Sequence, residues 1–409
     1  MLKDWRQTPA VRRLLTRGPQ AGSHLEFLAE LCVWLRQRGL PLARVNQYTP
    51  TLHPLMQGVE CIWRHGHPPE EVQLHWRRGE DLPAWQASPL RQVLLGKDEI
   101  RVALAAPNTD EEDPIRAQLR AESLSELLVM AIPLADGRRN AISWATDGPR
   151  GFSLGARNEL RNLAGPLGLV LDLLEWRRTA RTLLDTYLGQ GPGREVLNGA
   201  IHRGDRRDLE AVILFADLRD FTAKAARWSV DQLLAALDAY YQALVDAITA
   251  AGGEVLKFMG DGLLAVFPIA GAGEVAGTCR RAYAATLAAR EAMAVTNRTR
   301  AAAGLAPLEF GVALHVGRVV YGNIGGTGRL DFTVIGPAVN LVSRIEALCK
   351  TLGQPVLASA AVARHLGDDL APLGRHSIRG LGTTVELFGL PDQPRPPSRG
   401  DREDAAALS

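Results

Sequence analysis

The chain has 409 residues, 46% of them hydrophobic and 22% charged, the balance of an ordinary globular protein long enough for two domains. Its formal net charge is +2, with neither half strongly basic, which argues against a nucleic-acid partner. Four cysteines, none in a CxxC pair, exclude a disulfide framework and fit a reducing compartment. The start, MLKDWRQTPAVRRLL, lacks the apolar core of a signal peptide. The most apolar stretch, LAGPLGLVL, holds Gly165, Pro166 and Gly168 and stops at Asp172, too short to span a bilayer. The expectation is a soluble, cytoplasmic protein with no membrane span.

Residues 1–20 carry several Arg and little periodicity and read as a lead-in. From about Gly22, Leu25, Leu28, Leu31, Cys32 and Leu35 recur at helical spacing until Gly39-Leu40-Pro41. Short β-type segments follow: LARVNQYT, GVECIWRH, EVQLHW and EIRVALA. The acidic run Asp110–Asp113 reads as a solvated loop. A short helix near Ile115–Ser123 precedes two more strands, LLVMAIPL and NAISWAT, joined at Ala135-Asp136-Gly137. A long helical stretch runs from about Leu160 to Leu188, where Gly189–Gly193 breaks it. Leu169, Leu173, Trp176, Leu183, Leu184 and Leu188 give it an apolar face. That face suits either packing on its own domain or a dimer seam. The order of elements over 21–160 resembles a GAF- or PAS-like α/β sensory module, which implies an unidentified small-molecule or protein input there. Residues 161–207 read as a helical linker, and the Pro-rich, charged residues 391–409 as a disordered tail.

Three motifs between 208 and 390 carry chemistry. In AVILFADLRDFT, the apolar run Ala211–Phe215 is a buried strand. Asp217 closes it, and Asp220 and Thr222 are placed to cap the next helix. In GGEVLKFMGDGLLAVFP, two β-runs flank Gly260-Asp261-Gly262, a hairpin signal that requires positive φ. Taken singly, each Asp reads as a turn or capping residue. If the strands are neighbours, both carboxylates reach one sheet edge, where two hard oxygen donors suit Mg²⁺ and leave positions for phosphate oxygens. In DFTVIGPAVNLVSRIEALCK, Gly336-Pro337 starts a helix. Val339, Val342 and Ile345 make its buried stripe, and Asn340 and Arg344 share another face. An Arg beside an amide there suits a phosphate and a sugar oxygen, or is simply a solvated pair.

FADLRDFT, KFMGDG, GVALHVGRVVYGNIG and TVIGPAVNLVSR, in that order, resemble class III nucleotidyl cyclases of the bacterial adenylate cyclase type over about 208–390. The resemblance implies a ferredoxin-like α+β catalytic domain, working as a homodimer with active sites shared between protomers. It implies that Asp217 and Asp261 bind two Mg²⁺ or Mn²⁺ ions per site. Lys257 and Thr333 fall at the positions that read the purine, Thr replacing the commoner Asp. Asn340 and Arg344 match the pair that orients the ribose and stabilises charge at the α-phosphate, and Arg318 resembles a further phosphate contact. Lys257 with Thr333 points to ATP rather than GTP. The expected activity is therefore adenylate cyclase, regulated through 21–160; the other reading is a silent cyclase-like nucleotide-binding or dimerisation module. The hairpin has GDG rather than GGDEF, which sets a diguanylate cyclase aside. His65, His67 and His75 lie close enough to suggest a metal or haem, but they lack an identifiable supporting partner. Gly325–Gly328 reads as a hairpin connection, because no Gly-Lys-Ser/Thr follows.

Overall fold

A computed structural model describes residues 8–51, 56–75, 88–104, 114–202, 204, 206–378, 380, 382 and 384–391. The acidic run Asp110–Asp113 and residues 392–409 lie outside them. The chain divides between Leu183 and Leu184 into two compact units.

The first unit opens with α1 (Pro9–Arg17), so the lead-in reading is wrong for these residues. Thr8 caps the helix, Pro9 starts it, and Ala10, Val11 and Leu14 bury a narrow face. Next come α2 (His24–Gln37), capped by Ser23, and strands β1 (Arg44–Pro50), β2 (Met56–Arg64) and β3 (Glu70–His75). A six-residue helix that the sequence reading missed, α3 (Pro89–Leu94), precedes β4 (Glu99–Ala103). Helix α4 (Pro114–Ala121), β5 (Glu126–Pro133), β6 (Arg139–Thr146) and α5 (Leu154–Leu188) complete the set. The long helix thus begins six residues earlier than its periodicity suggested, and Pro166 is accommodated within it.

The six strands form one antiparallel sheet in the order β3-β2-β1-β6-β5-β4. One face packs Val45, Trp63, Leu128, Ile142 and Trp144 with residues of α1, α2 and α5. The other packs Leu127, Val129, Ala141 and Ala145 with Val93 of α3 and Leu119 of α4. Burial on both faces explains why β5 is a continuous apolar run rather than an alternating one. On α5, Leu160, Leu163, Leu167, Val170, Leu171 and Leu174 are buried, whereas Leu169 and Trp176 are 59% and 60% exposed. Own-domain packing therefore does not account for the Leu169–Trp176 face.

The second unit carries α6 (Gln190–Leu197), β7 (Arg206–Leu218), α7 (Phe221–Ala225) and α8 (Val230–Ala250). The hairpin strands β8 (Glu254–Met259) and β9 (Gly262–Ile269) follow, then α9 (Val275–Ala302). Strands β10 (Phe310–Gly326) and β11 (Arg329–Ile335) form a second hairpin before α10 (Pro337–Thr351). The chain continues through β12 (Val356–Ser359), the short α11 (Ala360–Ala363), β13 (Ala371–Ser377) and β14 (Thr384–Gly389). The sheet order is β13-β14-β12-β10-β7-β9-β8, with β11 paired to β10. Its centre, β10-β7-β9-β8, is wholly antiparallel and built from a β-α-β-β-α-β succession. Even-numbered residues Val212, Leu214 and Ala216 pack with α8 and α9, while Ala211 and Ile213 pack with α10. The expected hairpin connection at Gly325–Gly328 is present.

Among the described residues, no helix is long and apolar enough to cross a membrane. The four cysteines are buried free thiols.

Candidate active site

Asp217 is the penultimate residue of β7, opposite Gly262 on β9 and Gly311 on β10. Strand alternation puts its side chain on the same face as Ala211 and Ile213, the face covered by α10. Asp261 lies in the two-residue turn between β8 and β9. The positive φ falls on Gly260, at +68°, the first turn residue, and not on Gly262 as the Asp-Gly reading implied. The Tyr241 hydroxyl of α8 donates to the Gly260 carbonyl oxygen at 2.6 Å, and its ring lies 4.3 Å from that of Phe258. The turn that presents Asp261 is therefore held from below.

The two carboxyl groups meet. Burial, and then the Asp261 carboxyl within hydrogen-bond reach, push Asp217 up to about 6. This donor set fits a hard divalent cation with open positions. Among the described residues, no cluster of three or more His, Cys, Asp or Glu side chains is arranged for a metal. His65 and His67 are exposed, and the side chain of His75 lies outside the description.

Beneath the carboxyl pair lies an ion pair that sequence reasoning missed. Arg219 Nη1 sits 3.2 Å from Glu346 Oε1, and the Glu346 side chain is 5% exposed. Burial pushes Glu346 up to about 7; Arg219 pulls it down, while Asp217 and Asp261 push it up. Gly311 makes room for this pair: a Cβ there would overlap both the Arg219 guanidinium and Glu346 Oε1. The turn after β7, strand β10 and helix α10 supply these three residues, so no local motif announces them.

Asp220 occupies the N-cap position of α7, but its side chain makes no capping bond. It accepts instead from Lys350 Nζ at 2.6 Å, and Thr222 lies inside the helix. The capping expectation for both residues is therefore corrected.

Lys257 projects from β8 next to a register shift between Val255 and Lys257. Its ammonium donates to the carboxylate of Asp331 on β11, a second partner absent from the sequence reading. Thr333 is two residues further along the same strand, hence on the same face as Asp331, while Phe332 and Val334 point into the core. A cleft of about 710 Å³ opens beside Lys257 and Asp331, bounded also by Gly189, Gln190 and Arg194. On α10, Val342 and Ile345 are buried and Val339 is partly so, as the stripe predicted. Asn340 is exposed, and Arg344 is half-buried with its guanidinium beside Gly380. Arg318 is exposed on β10, opposite Glu210 of β7.

The structure thus assembles Asp217 with Asp261, and Lys257 with Asp331 near Thr333. It places Asn340 and Arg344 together on one helix and Arg318 on β10.

Comparison with known proteins fits this geometry. Residues 206–387 match the family model described as the adenylate and guanylate cyclase catalytic domain. A crystal structure of the guanylyl cyclase Cya2 is 31% identical, covers 48% of this chain and 97% of that one, and gives a TM-score of 0.41. Residues 206–387 form a class III adenylate/guanylate cyclase domain. Adenylate cyclase 1 of Rhizobium meliloti (strain 1021) is 31% identical over 183 residues, 44% of this chain. Adenylate cyclase of Anabaena cylindrica is 34% identical over 158 residues, 38% of this chain. The chain covers only 27% and 30% of the length of these two relatives. The GAF- or PAS-like assignment of the first unit has no counterpart in the matched family segment.

Proposed function

We propose that the protein is an adenylate cyclase that converts ATP to 3′,5′-cyclic AMP and pyrophosphate. The observation that carries this reading is the meeting of Asp217 and Asp261 at one sheet edge, in a domain that also presents Lys257, Thr333, Asn340 and Arg344. In the reaction, the ribose 3′-oxygen forms a bond to the α-phosphorus as the bond to the bridging oxygen breaks and pyrophosphate departs. Asp217 and Asp261 would hold Mg²⁺ or Mn²⁺, two ions per site on the family pattern, which neutralise the phosphates and favour the 3′-alkoxide. Asn340 orients the ribose. Arg344, with Arg318 as a further phosphate contact, offsets charge that grows at the α-phosphate, where such groups accelerate most. Lys257 has three N–H donors, so one can remain on Asp331 while another meets the purine N1.

We assign these groups to opposite protomers of a homodimer. Phe258, Ile335 and Met259, beside the site residues, are 50%, 50% and 41% exposed, an apolar margin suited to a second copy. The exposed Leu169 and Trp176 on α5 support the same reading. The first unit, with a six-stranded antiparallel sheet between helices, is proposed as a GAF/PAS-like input module that regulates the cyclase.

Purified protein given Mg²⁺ or Mn²⁺ with ATP or GTP, with products identified by mass, tests the activity. Cyclic AMP is expected, and no cyclic nucleotide from either substrate would leave the silent-module reading standing. ATP is expected to be preferred at least about tenfold in kcat/KM, or about 1.4 kcal/mol. Guanine presents a protonated N1 to Lys257 and a carbonyl where Thr333 would accept, leaving polar groups mismatched. Lys257→Glu with Thr333→Cys is expected to erode the preference mainly by losing ATP turnover. Equal use of ATP and GTP by the unmutated protein would refute the roles given to both residues.

A further inference from the structure

Where α2 packs on the long helix α5 in the first unit, a buried histidine meets a buried glutamate. His24, the first residue of α2, and Glu175 of α5 have side chains 4% and 13% exposed, and His24 Nε2 lies 3.8 Å from Glu175 Oε2. That is beyond hydrogen-bond range, about 2.7–3.2 Å. Both atoms are buried, and neither has a hydrogen-bond partner among the described residues. The other ends of both groups are engaged. The imidazole donates to the backbone of Leu171, one turn before Glu175 on α5, which leaves Nε2 as the acceptor of a neutral ring. Thr179 donates to Glu175 Oε1 at 3.3 Å. An ionised Glu175 therefore sets two acceptors against each other, and nothing joins them. A protonated Glu175 sets an O–H against a free lone pair.

We infer that His24 and Glu175 form a proton-operated latch between α2 and α5: one proton on the pair closes an O–H···N hydrogen bond, and its loss opens it. The Glu175 carboxyl, the more exposed partner, takes the proton from water and returns it on opening, and no other covalent bond changes. The surroundings set the pH. Burial pushes Glu175 up to about 7, while Arg178, the Thr179 bond and Arg138 of the β5–β6 turn pull it down. Burial and then Arg178 hold His24 down to about 4, so the ring stays neutral where the carboxyl changes state. Glu71 of β3, 3.7 Å from Arg178, shares that cation's charge. Burial pushes the Cys61 thiol of β2 up to about 12, so it adds no charge near neutrality. Overall stability is a poor gauge of the latch, because the two shifts act in opposite senses. Glu175, raised from 4.5, contributes stability that is fully present below 4.5 and lost as pH rises through about 7. His24, lowered from 6.5, adds a cost that is absent above 6.5 and full below about 4. The latch lies wholly in the first unit and stands whether or not the second unit is catalytic.

Infrared difference titration of the full-length protein reads the carboxyl directly. Unmutated protein is expected to show a carboxylic-acid carbonyl band, with a midpoint within about one unit of 7, that is missing from Glu175→Gln. His24→Leu is expected to lower that midpoint by at least about one pH unit, a tenfold loss of proton affinity, because the acid loses its acceptor. A more apolar neighbour acting through burial alone would raise it. No difference between the unmutated protein and Glu175→Gln near neutrality would overturn the latch. So would a midpoint in His24→Leu that rises, or falls by less than that unit. If either variant fails to melt cooperatively, nitrogen NMR of histidine-labelled unmutated protein decides. One unprotonated imidazole nitrogen is expected to shift with the same midpoint, and absence of such a shift would overturn the inference.

Discussion

Asp217→Ala and Arg344→Ala proteins, each inactive alone, are expected to regain turnover when mixed. On the proposed roles, loss of Asp217 removes a metal ligand and loss of Arg344 removes a cation aimed at developing charge, and loss of one such contact typically reduces rate by on the order of 10²–10³. Asp217 ends β7 and Arg344 lies on α10. If each site draws these residues from different protomers, a heterodimer contains one site with both intact. Random reassortment of symmetric dimers makes half the population heterodimers with one working site in two, so about a quarter of the unmutated rate should return. Differently tagged proteins, co-purified to prove exchange and then assayed with ATP, give the measurement. Heterodimers without activity would place all the groups of a site within one protomer. Asp261→Ala should behave like Asp217→Ala and should fail to complement it.

Removing Arg219 is expected to have the largest effect on stability. Its guanidinium is the partner of Glu346, whose side chain is 5% exposed and sits near two further carboxyl groups. Breaking a buried pair from one side costs about 3–5 kcal/mol, because the remaining charge is uncompensated. Arg219→Met should therefore lower the unfolding free energy by that order near pH 8. The sign with pH follows from linkage. The folded-state pKa of Glu346, about 7, stands above its ordinary value of 4.5. As pH rises between those values, the unfolded chain releases its proton first, and this residue's contribution turns against the fold. Without Arg219 the carboxyl rises further, so the deficit should grow with pH and shrink towards pH 4.5. Urea unfolding at several pH values measures it. Arg219→Met/Glu346→Gln should recover most of the loss at pH 8. A deficit that is constant with pH, and not repaired in the double variant, would assign the cost to lost packing.

Much of the second unit was legible because its signals are local. Ala211–Phe215 is an uninterrupted apolar strand, GDG sits between two β-runs, and Pro337 follows Gly336 at a helix start. What escaped was anything made by residues distant in sequence. Arg219, Gly311 and Glu346 form one unit only because β7 and β10 pair in a register that puts Gly311 opposite Asp217. Asp331 reads as a polar strand residue until β11 and β8 are seen to come close enough for its bond to Lys257. In the first unit, α1 was missed because three buried residues among several Arg give a weak period. Its Thr-Pro start was nonetheless the available cue. Helix α3 is too short for periodicity to register, and Ser88 before Pro89 was its only mark. His24 and Glu175 were hidden because neither helix shows alone what the other packs against it.

The bond from Lys257 to Asp331 joins two ribbons that leave the sheet at different places, the β8–β9 hairpin and the β10–β11 hairpin. Its members are 39% and 47% exposed, so it behaves as a fastener open to solvent and contributes no more than about 1 kcal/mol. On the proposed role of Lys257, fidelity for the base would be partly mechanical, resting on how firmly two arms are clasped. Dissolved salt weakens such a clasp, whereas the buried support beneath Asp217 is shielded from it. Raising ionic strength should accordingly blur the choice of purine before it impairs the chemistry.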